Sequence, residues 1–157
     1  MRGRRPLIVG FVLIGIGLLG LIGLGVGFAS AGRSDGTAVE RGRWIYRTGT
    51  DPDGRPFPTT GVMMMRASCA SCHGADGRGL RTPMFVSPDI RYRNLTDPAG
   101  MVEPDGSRGH TYTDDLIKRA ITAGIDAEGQ PLAWPMPRWQ MTDRELNDLL
   151  AYLRTLD

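Results

Sequence analysis

This chain has few cysteines, few histidines and a small net charge. Only two of its 157 residues are cysteines, two are histidines, and the formal net charge is +2. Three of the 19 basic residues lie within residues 1–31, which leaves 16 basic against 17 acidic residues in the remainder, a net charge of −1. A folded domain of that charge lacks the basic surface that nucleic acid requires, so no nucleic-acid partner is expected.

Both cysteines lie in one motif, Cys69-Ala70-Ser71-Cys72-His73. A C-x-x-C-H pentapeptide is typical of covalent c-type haem attachment. Two thiols one helical turn apart add to the two porphyrin vinyl groups as thioethers, and the adjacent imidazole binds the iron. The motif therefore predicts one covalent haem c, with Cys69 and Cys72 as its thioethers and His73 as the proximal iron ligand, and it leaves no thiol for a disulfide.

Two other interpretations compete with haem attachment. A thioredoxin-like dithiol would need a strand of a βαβ unit before Cys69, and no strand-like run precedes it. A zinc site would need four ligands, and Cys69, Cys72, His73 and His110 are just enough. A histidine directly after the second cysteine is a poor zinc spacing, so haem attachment is favoured over both.

An uncharged run from Leu7 to Ser30 follows the arginine-rich start of the chain. About 23 helical residues extend about 34 Å, enough to cross a hydrocarbon core of about 30 Å, so residues 1–31 are predicted to form an N-terminal transmembrane helix. The positive-inside rule puts the N-terminus in the cytoplasm and the haem domain on the outer, periplasmic or extracytoplasmic, face of the cell membrane. Ala29-Ser30-Ala31 matches a signal-peptidase site, but the apolar run is longer than that of a signal peptide, which favours a retained helix.

Three amphipathic helices are predicted in residues 37–157, after a short polar linker at 32–36. Capping residues and apolar spacing indicate that they run from Thr37 to Gly49, from Thr113 to Gly124, and from Thr142 to the C-terminal region. Shorter helices are expected at the C-x-x-C-H motif, starting near Met63–Met65, and at about residues 94–97. A surface loop at 49–61 and an irregular stretch at 80–111 complete the domain.

Four methionines after His73 are candidates for the second axial ligand of the iron: Met84, Met101, Met136 and Met141. Prolines on both sides of Met136 hold its backbone extended, which favours this residue. His110 is the rival ligand and would give a bis-histidine iron, but a histidine just before a helix is more often a surface residue.

The chain resembles a class I c-type cytochrome over about residues 38–157. In that family a glycine and an aromatic residue four positions apart on the first helix cross an aliphatic and an aromatic residue three positions apart on the last helix. Gly42 with Tyr46 and Leu149 with Tyr152 match these pairs. The resemblance implies an all-α fold, a small cytochrome c fold of three to five helices wrapped on one haem, here preceded by the transmembrane helix.

The resemblance also implies residues around the haem. Met136 corresponds to the distal ligand, and a proline after the motif offers its carbonyl to the Nδ1 of the proximal imidazole. Pro83 fits that role better than Pro88. Trp134 and Trp139 are expected to form part of the haem-pocket wall.

Axial ligation by His73 and Met136 leaves no open iron position, so the expected function is one-electron transfer and not catalysis. The leading hypothesis is a membrane-tethered carrier in a respiratory-type chain, with redox proteins or complex subunits at the membrane as partners. The first alternative is a fixed haem subunit of a larger quinol-oxidising, oxidase or dehydrogenase complex. An open-site haem enzyme or sensor is less favoured. Arg91 and Arg138 are candidate partners of a haem propionate.

Overall fold

The structure is a computed structural model that describes residues 36–61 and 68–156. These residues belong to one compact unit, Gly36–Asp157. The predicted transmembrane helix at 1–31, the linker up to residue 35 and the helix start at Met63–Met65 lie outside the described residues. Within the described ranges, no helix combines the length and the apolar character needed to cross a bilayer.

Helices make up most of the regular secondary structure in the described part of the chain. In chain order its elements are α1 (Ala38–Thr48), β1 (Thr59–Thr60), α2 (Cys69–His73), α3 (Tyr92–Leu95), α4 (Asp114–Ala123), β2 (Arg138–Trp139) and α5 (Asp143–Leu153). The two short strands pair antiparallel, with Thr59 opposite Trp139. This pairing was not expected, because residues 49–61 were predicted to be a surface loop throughout.

The three long helices begin at their predicted caps. Thr37 Oγ1 accepts a hydrogen bond from the Glu40 amide at 3.2 Å, and the Glu40 carboxylate accepts one from the Thr37 amide at 2.8 Å. Thr142 and Glu145 form the same reciprocal pair at the start of α5. The Thr113 side chain accepts a hydrogen bond from a backbone amide in the first turn of α4. Each cap satisfies amide groups that have no partner within the helix.

Helices α1 and α5 cross in close contact at Gly42. A Cβ atom at this position would lie 1.9 Å from the Asp148 carbonyl oxygen and 2.9 Å from Tyr152 Cβ, so only glycine permits the approach. Beside the crossing, the Tyr46 and Tyr152 ring centroids are 5.3 Å apart. Arg41 donates to both carboxylate oxygens of Asp148 at 2.6 Å each. The helix crossing implied by the resemblance is confirmed.

Within the described residues, one apolar core joins α1, α4 and α5. The most deeply buried side chains are Ile45, Tyr46, Leu149 and Leu150, each less than 2 % exposed. Helix α4 adds Ile117 and Ile121 to the same cluster. The predicted apolar faces of the three long helices therefore face a common interior.

Helix α3 begins two residues earlier than predicted, at Tyr92. Asn94 therefore lies inside the helix and not at its start. The Asn94 side chain donates to the Asp89 carbonyl at 2.9 Å and accepts from the Val102 amide at 3.0 Å. The side chain is therefore engaged in connecting two parts of the irregular stretch, and it does not cap a helix.

Candidate functional site

Helix α2 carries the C-x-x-C-H motif and begins at a serine cap. Ser68 Oγ accepts a hydrogen bond from the Ser71 amide at 3.2 Å, and Ser71 Oγ accepts one from the Ser68 amide at 3.1 Å. The cap starts a helix of five residues. Cys69 and Cys72 consequently lie about one turn apart, with His73 at the end of the helix.

Tyr46 of α1 connects this short helix to the core. Its buried hydroxyl donates to the Gly74 carbonyl at 2.6 Å. Burial raises the pKa of the Tyr46 phenol well above its ordinary value, so the hydroxyl stays a donor across the physiological range. The sequence prediction assigned Tyr46 only to the helix crossing. The signal for the second role is that a buried tyrosine hydroxyl needs a hydrogen-bond partner.

The two thiols, Cys69 and Cys72, do not form a disulfide. Burial raises the pKa of the Cys69 thiol to about 12. A dithiol redox centre works through a thiol whose pKa is lowered. The surroundings of Cys69 therefore argue against the thioredoxin-like interpretation.

The zinc interpretation lacks its fourth ligand. Across residues 36–61 and 68–156, no group of three or more His, Cys, Asp or Glu side chains is placed to hold a metal ion. The His110 Nδ1 lies 3.1 Å from a Glu128 carboxylate oxygen, with 43 % of the histidine side chain exposed. His110 is also absent from the lining of the cavity described below, which removes the support for it as the rival axial ligand.

His73 is held in one orientation by a backbone carbonyl. The imidazole is buried, and its Nδ1 lies 3.0 Å from the Pro88 carbonyl oxygen. A carbonyl only accepts hydrogen bonds, so Nδ1 carries the proton and Nε2 is left with its lone pair. Burial also lowers the pKa of His73, although the bond to Pro88 opposes this effect. The imidazole is therefore neutral, oriented and able to bind a metal through Nε2.

The prediction that Pro83 supplies this carbonyl is wrong. Pro83 lies exposed in a turn closed by the bridge between Arg81 and Val86. Directly after this turn, the Ser87 hydroxyl donates to the Cys72 carbonyl. That bond brings the following residue, Pro88, next to the imidazole, so the turn sets the choice between the two prolines.

One apolar cavity contains most of the predicted site. Its walls are almost entirely apolar, and about 40 Å³ inside it is open to a water-sized molecule. Its lining residues are Tyr46, Ser68, Cys69, Cys72, His73, Ile90, Ile121, Met136, Pro137, Trp139, Leu149 and Leu153. The structure thus brings the motif and Met136 together although they are far apart in the sequence.

Met136 is distinguished from the other candidate methionines by its position. Among the described residues it alone of the methionines lines the cavity. Met84 is 84 % exposed, Met101 is buried elsewhere in the core, and Met141 lines a separate surface groove. Met136 is therefore the candidate best placed to act together with His73.

The two predicted tryptophans have different locations. Trp139 is 3 % exposed and forms part of the cavity wall. Trp134 is 72 % exposed and is not part of the lining, so the prediction that it forms the wall is wrong. The Met136 amide donates to the Ala133 carbonyl at 3.1 Å, which closes a turn around Trp134 and leaves its ring in solvent.

Neither candidate propionate arginine lines the cavity. Arg91 donates from Nε to both Asp89 carboxylate oxygens at 3.0 Å, and Arg138 donates to backbone carbonyls. Sequence reasoning instead missed the aliphatic wall formed by Ile121, Leu149 and Leu153. Their positions on the apolar stripes of α4 and α5 are the signal that would have indicated them.

The residues present fit a covalently attached haem. Aliphatic and aromatic side chains form a surface suited to an apolar macrocycle, and two cysteines lie at its edge on one helical turn. An imidazole nitrogen and a thioether, both established ligands of haem iron, line the same space. The donor set thus matches an iron porphyrin, whereas zinc and dithiol chemistry each lack a required feature.

Comparison with known proteins identifies the family. The family model for cytochrome c matches residues 58–157. Searches of curated proteins and of solved structures gave no significant match. The match covers the motif, the cavity-lining residues after it and the last helix. The chain therefore belongs to the cytochrome c family, whose cofactor is covalently bound haem c and whose general function is electron transfer.

Proposed function

We propose that this cytochrome c is a membrane-tethered, one-electron carrier whose haem iron is held between His73 and Met136. The observation that carries the ligation is that both side chains line one apolar cavity together with the two cysteines. The tether is supported by the uncharged run from Leu7 to Ser30. When bound, haem c supplies an iron that exchanges a single electron.

On the proximal side, a contact within the protein itself orients His73 for metal binding. The Pro88 carbonyl accepts from Nδ1 and fixes both the tautomer and the ring orientation. Such a bond also increases the basicity of the ligating nitrogen. Cys69 and Cys72 would hold the macrocycle covalently, so the cofactor would stay in place on the outer face of the membrane.

On the distal side, Met136 provides a neutral, soft thioether. A thioether ligand favours the reduced iron and therefore a higher reduction potential. Trp139, Leu149 and Leu153 keep water from the cavity and disfavour the additional charge of the oxidised state. With both axial positions filled, a substrate would have no place to bind, which supports a carrier over an enzyme.

The ligation is tested by optical spectroscopy of the oxidised full-length protein. A weak methionine-to-iron charge-transfer band is expected in the wild type and should be lost in Met136→Ala. Met101→Leu is the control, because Met101 is a buried methionine of the core that does not line the cavity. A high-spin oxidised iron in the wild type, or a band that survives Met136→Ala, would contradict the proposal.

The tether and the carrier role are tested on material from native membranes. A retained helix predicts that the chain sediments with membranes, needs detergent for release and keeps residues 1–31 on N-terminal sequencing. A mature N-terminus at Gly32 would instead indicate cleavage after Ala31. A transient carrier should show salt-sensitive electron transfer, whereas copurification in a stable stoichiometric assembly would favour the fixed-subunit alternative.

A further inference from the structure

Arg138 forms an unusual set of contacts next to Met136. Its half-buried guanidinium donates to three backbone carbonyls: that of Met136, that of Leu132 at 3.0 Å and that of Gly124 at 3.5 Å. In the described part of the chain its hydrogen-bond partners are backbone carbonyls alone. A guanidinium that donates to three backbone carbonyls holds that backbone in place and forms no ion pair through these bonds.

Gly124 provides the space for this guanidinium. A Cβ atom at position 124 would lie 2.0 Å from Arg138 Nε and 2.4 Å from its Cζ. Gly124 also has a φ of 66° where it ends α4, a conformation that other residues rarely adopt. The backbone conformation of Gly124 and its lack of a side chain together leave room for the arginine.

The three carbonyls belong to different parts of the chain, of which Gly124 and Leu132 are also joined by a backbone hydrogen bond of 2.8 Å. Gly124 ends α4, the helix that carries the cavity residue Ile121. Leu132 begins the proline-rich segment, and Met136 lies at its other end. Arg138 itself is held in β2, opposite Thr60. The side chain therefore ties the segment that carries Met136 to both a helix and a strand.

We propose that Arg138 is a positioning residue that keeps the Met136 thioether at the iron, an inference that rests on the proposed ligation by Met136. For the thioether to leave, the segment from Leu132 to Pro137 has to shift, and the shift breaks the hydrogen bonds to Arg138. Without the guanidinium, these carbonyls lose charge-assisted bonds and the open form becomes more populated.

The proposal is tested by titrating the oxidised full-length haem protein with imidazole, which binds the iron only when Met136 is displaced. The apparent dissociation constant equals the intrinsic constant divided by the open fraction, so it reports that fraction. Arg138→Gln should tighten apparent imidazole binding about tenfold, the effect of losing one charge-assisted hydrogen bond. Arg138→Lys, with one ammonium for three carbonyls, should lie between the variant and the wild type.

Arg119→Gln is the matched control. Arg119 also donates to backbone carbonyls, those of Asp126 and Ala127 in the neighbouring turn, and within the described residues it forms no hydrogen bond with Met136. The same change of side chain there should alter imidazole affinity less than about twofold, because the open fraction is unaffected. An effect as large as that of Arg138→Gln would overturn the proposal, since it would indicate general loosening of the fold.

A double-mutant cycle with Met136→Ala distinguishes failure of the positioning role of Arg138 from failure of the ligation by Met136. Once the methionine is absent, Arg138→Gln should no longer change imidazole affinity. A persisting effect, or no effect of Arg138→Gln with Met136 present, would overturn the role of Arg138 and leave the ligation standing. If Met136→Ala itself does not tighten imidazole binding, the ligation and the positioning role both fail. Arg138→Lys allows the same cycle if the glutamine variant does not assemble.

Discussion

Replacing Gly42 by alanine should destabilise the fold through the contact between α1 and α5. The added methyl group would lie 1.9 Å from the Asp148 carbonyl oxygen, which belongs to the helix backbone and cannot rotate away. The two helices therefore have to separate, which weakens the packing of Ile45 and Leu149. Overpacking costs up to about 3 kcal/mol, and the better helix propensity of alanine returns about 1 kcal/mol. The expected net loss in the free energy of unfolding is about 2 kcal/mol.

Urea unfolding of the oxidised haem protein measures this loss. With an m-value of about 2 kcal/mol/M, the midpoint should fall by about 1 M while the m-value stays the same. Arg43→Ala is the control, because it changes an exposed residue of the same helix and should leave the midpoint within about 0.25 M. A midpoint that is unchanged or higher in Gly42→Ala would refute the close contact as a source of stability, because only the gain in helix propensity would remain.

Two further predictions concern groups next to α2. Tyr46→Phe removes the donor to the Gly74 carbonyl and should lower the free energy of unfolding by about 1 kcal/mol; an unchanged urea midpoint would contradict this. Burial alone would raise the pKa of Asp89, but hydrogen bonds from Arg91 outweigh it and hold the pKa below 3.8. The stabilisation from this pair is therefore complete above the unfolded-state pKa and is lost as the pH falls through the lower folded-state value. Asp89→Asn should remove this part of the acid unfolding profile followed by circular dichroism, and an identical profile would contradict the assignment.

The predictable parts of this protein are those whose cause lies within a few residues. The reciprocal caps at Thr37 with Glu40 and at Thr142 with Glu145 are local hydrogen bonds, so their spacing in the sequence is enough to locate two helix starts. The same holds for Cys69–His73, where one helical turn determines which side chains share a face. The core face of α5 also follows from its apolar spacing.

The failures occur where distant contacts decide the outcome. Whether Pro83 or Pro88 faces His73 depends on the turn closed by Arg81 and Val86 and on a hydroxyl bond to Cys72. Neither is encoded by proline spacing. Trp134 is exposed because the backbone forms a turn between Ala133 and Met136, whereas the prolines on both sides of Met136 predicted an extended backbone. Similarly, β1 forms because Thr59 pairs with Trp139 and not because residues 59–60 have a high strand propensity.

The order in which the cavity is completed has a consequence for assembly. Cys69 and Cys72 are synthesised well before Met136, Trp139, Leu149 and Leu153, which complete the lining. Until those residues fold back, the Cys69 thiol has not acquired the burial that raises its pKa to about 12. The thiol ionises more readily in that open chain than in the closed fold, and the vinyl groups meet no barrier from the final helix. We therefore expect thioethers to form more easily before the residues from Met136 onward complete the cavity than after.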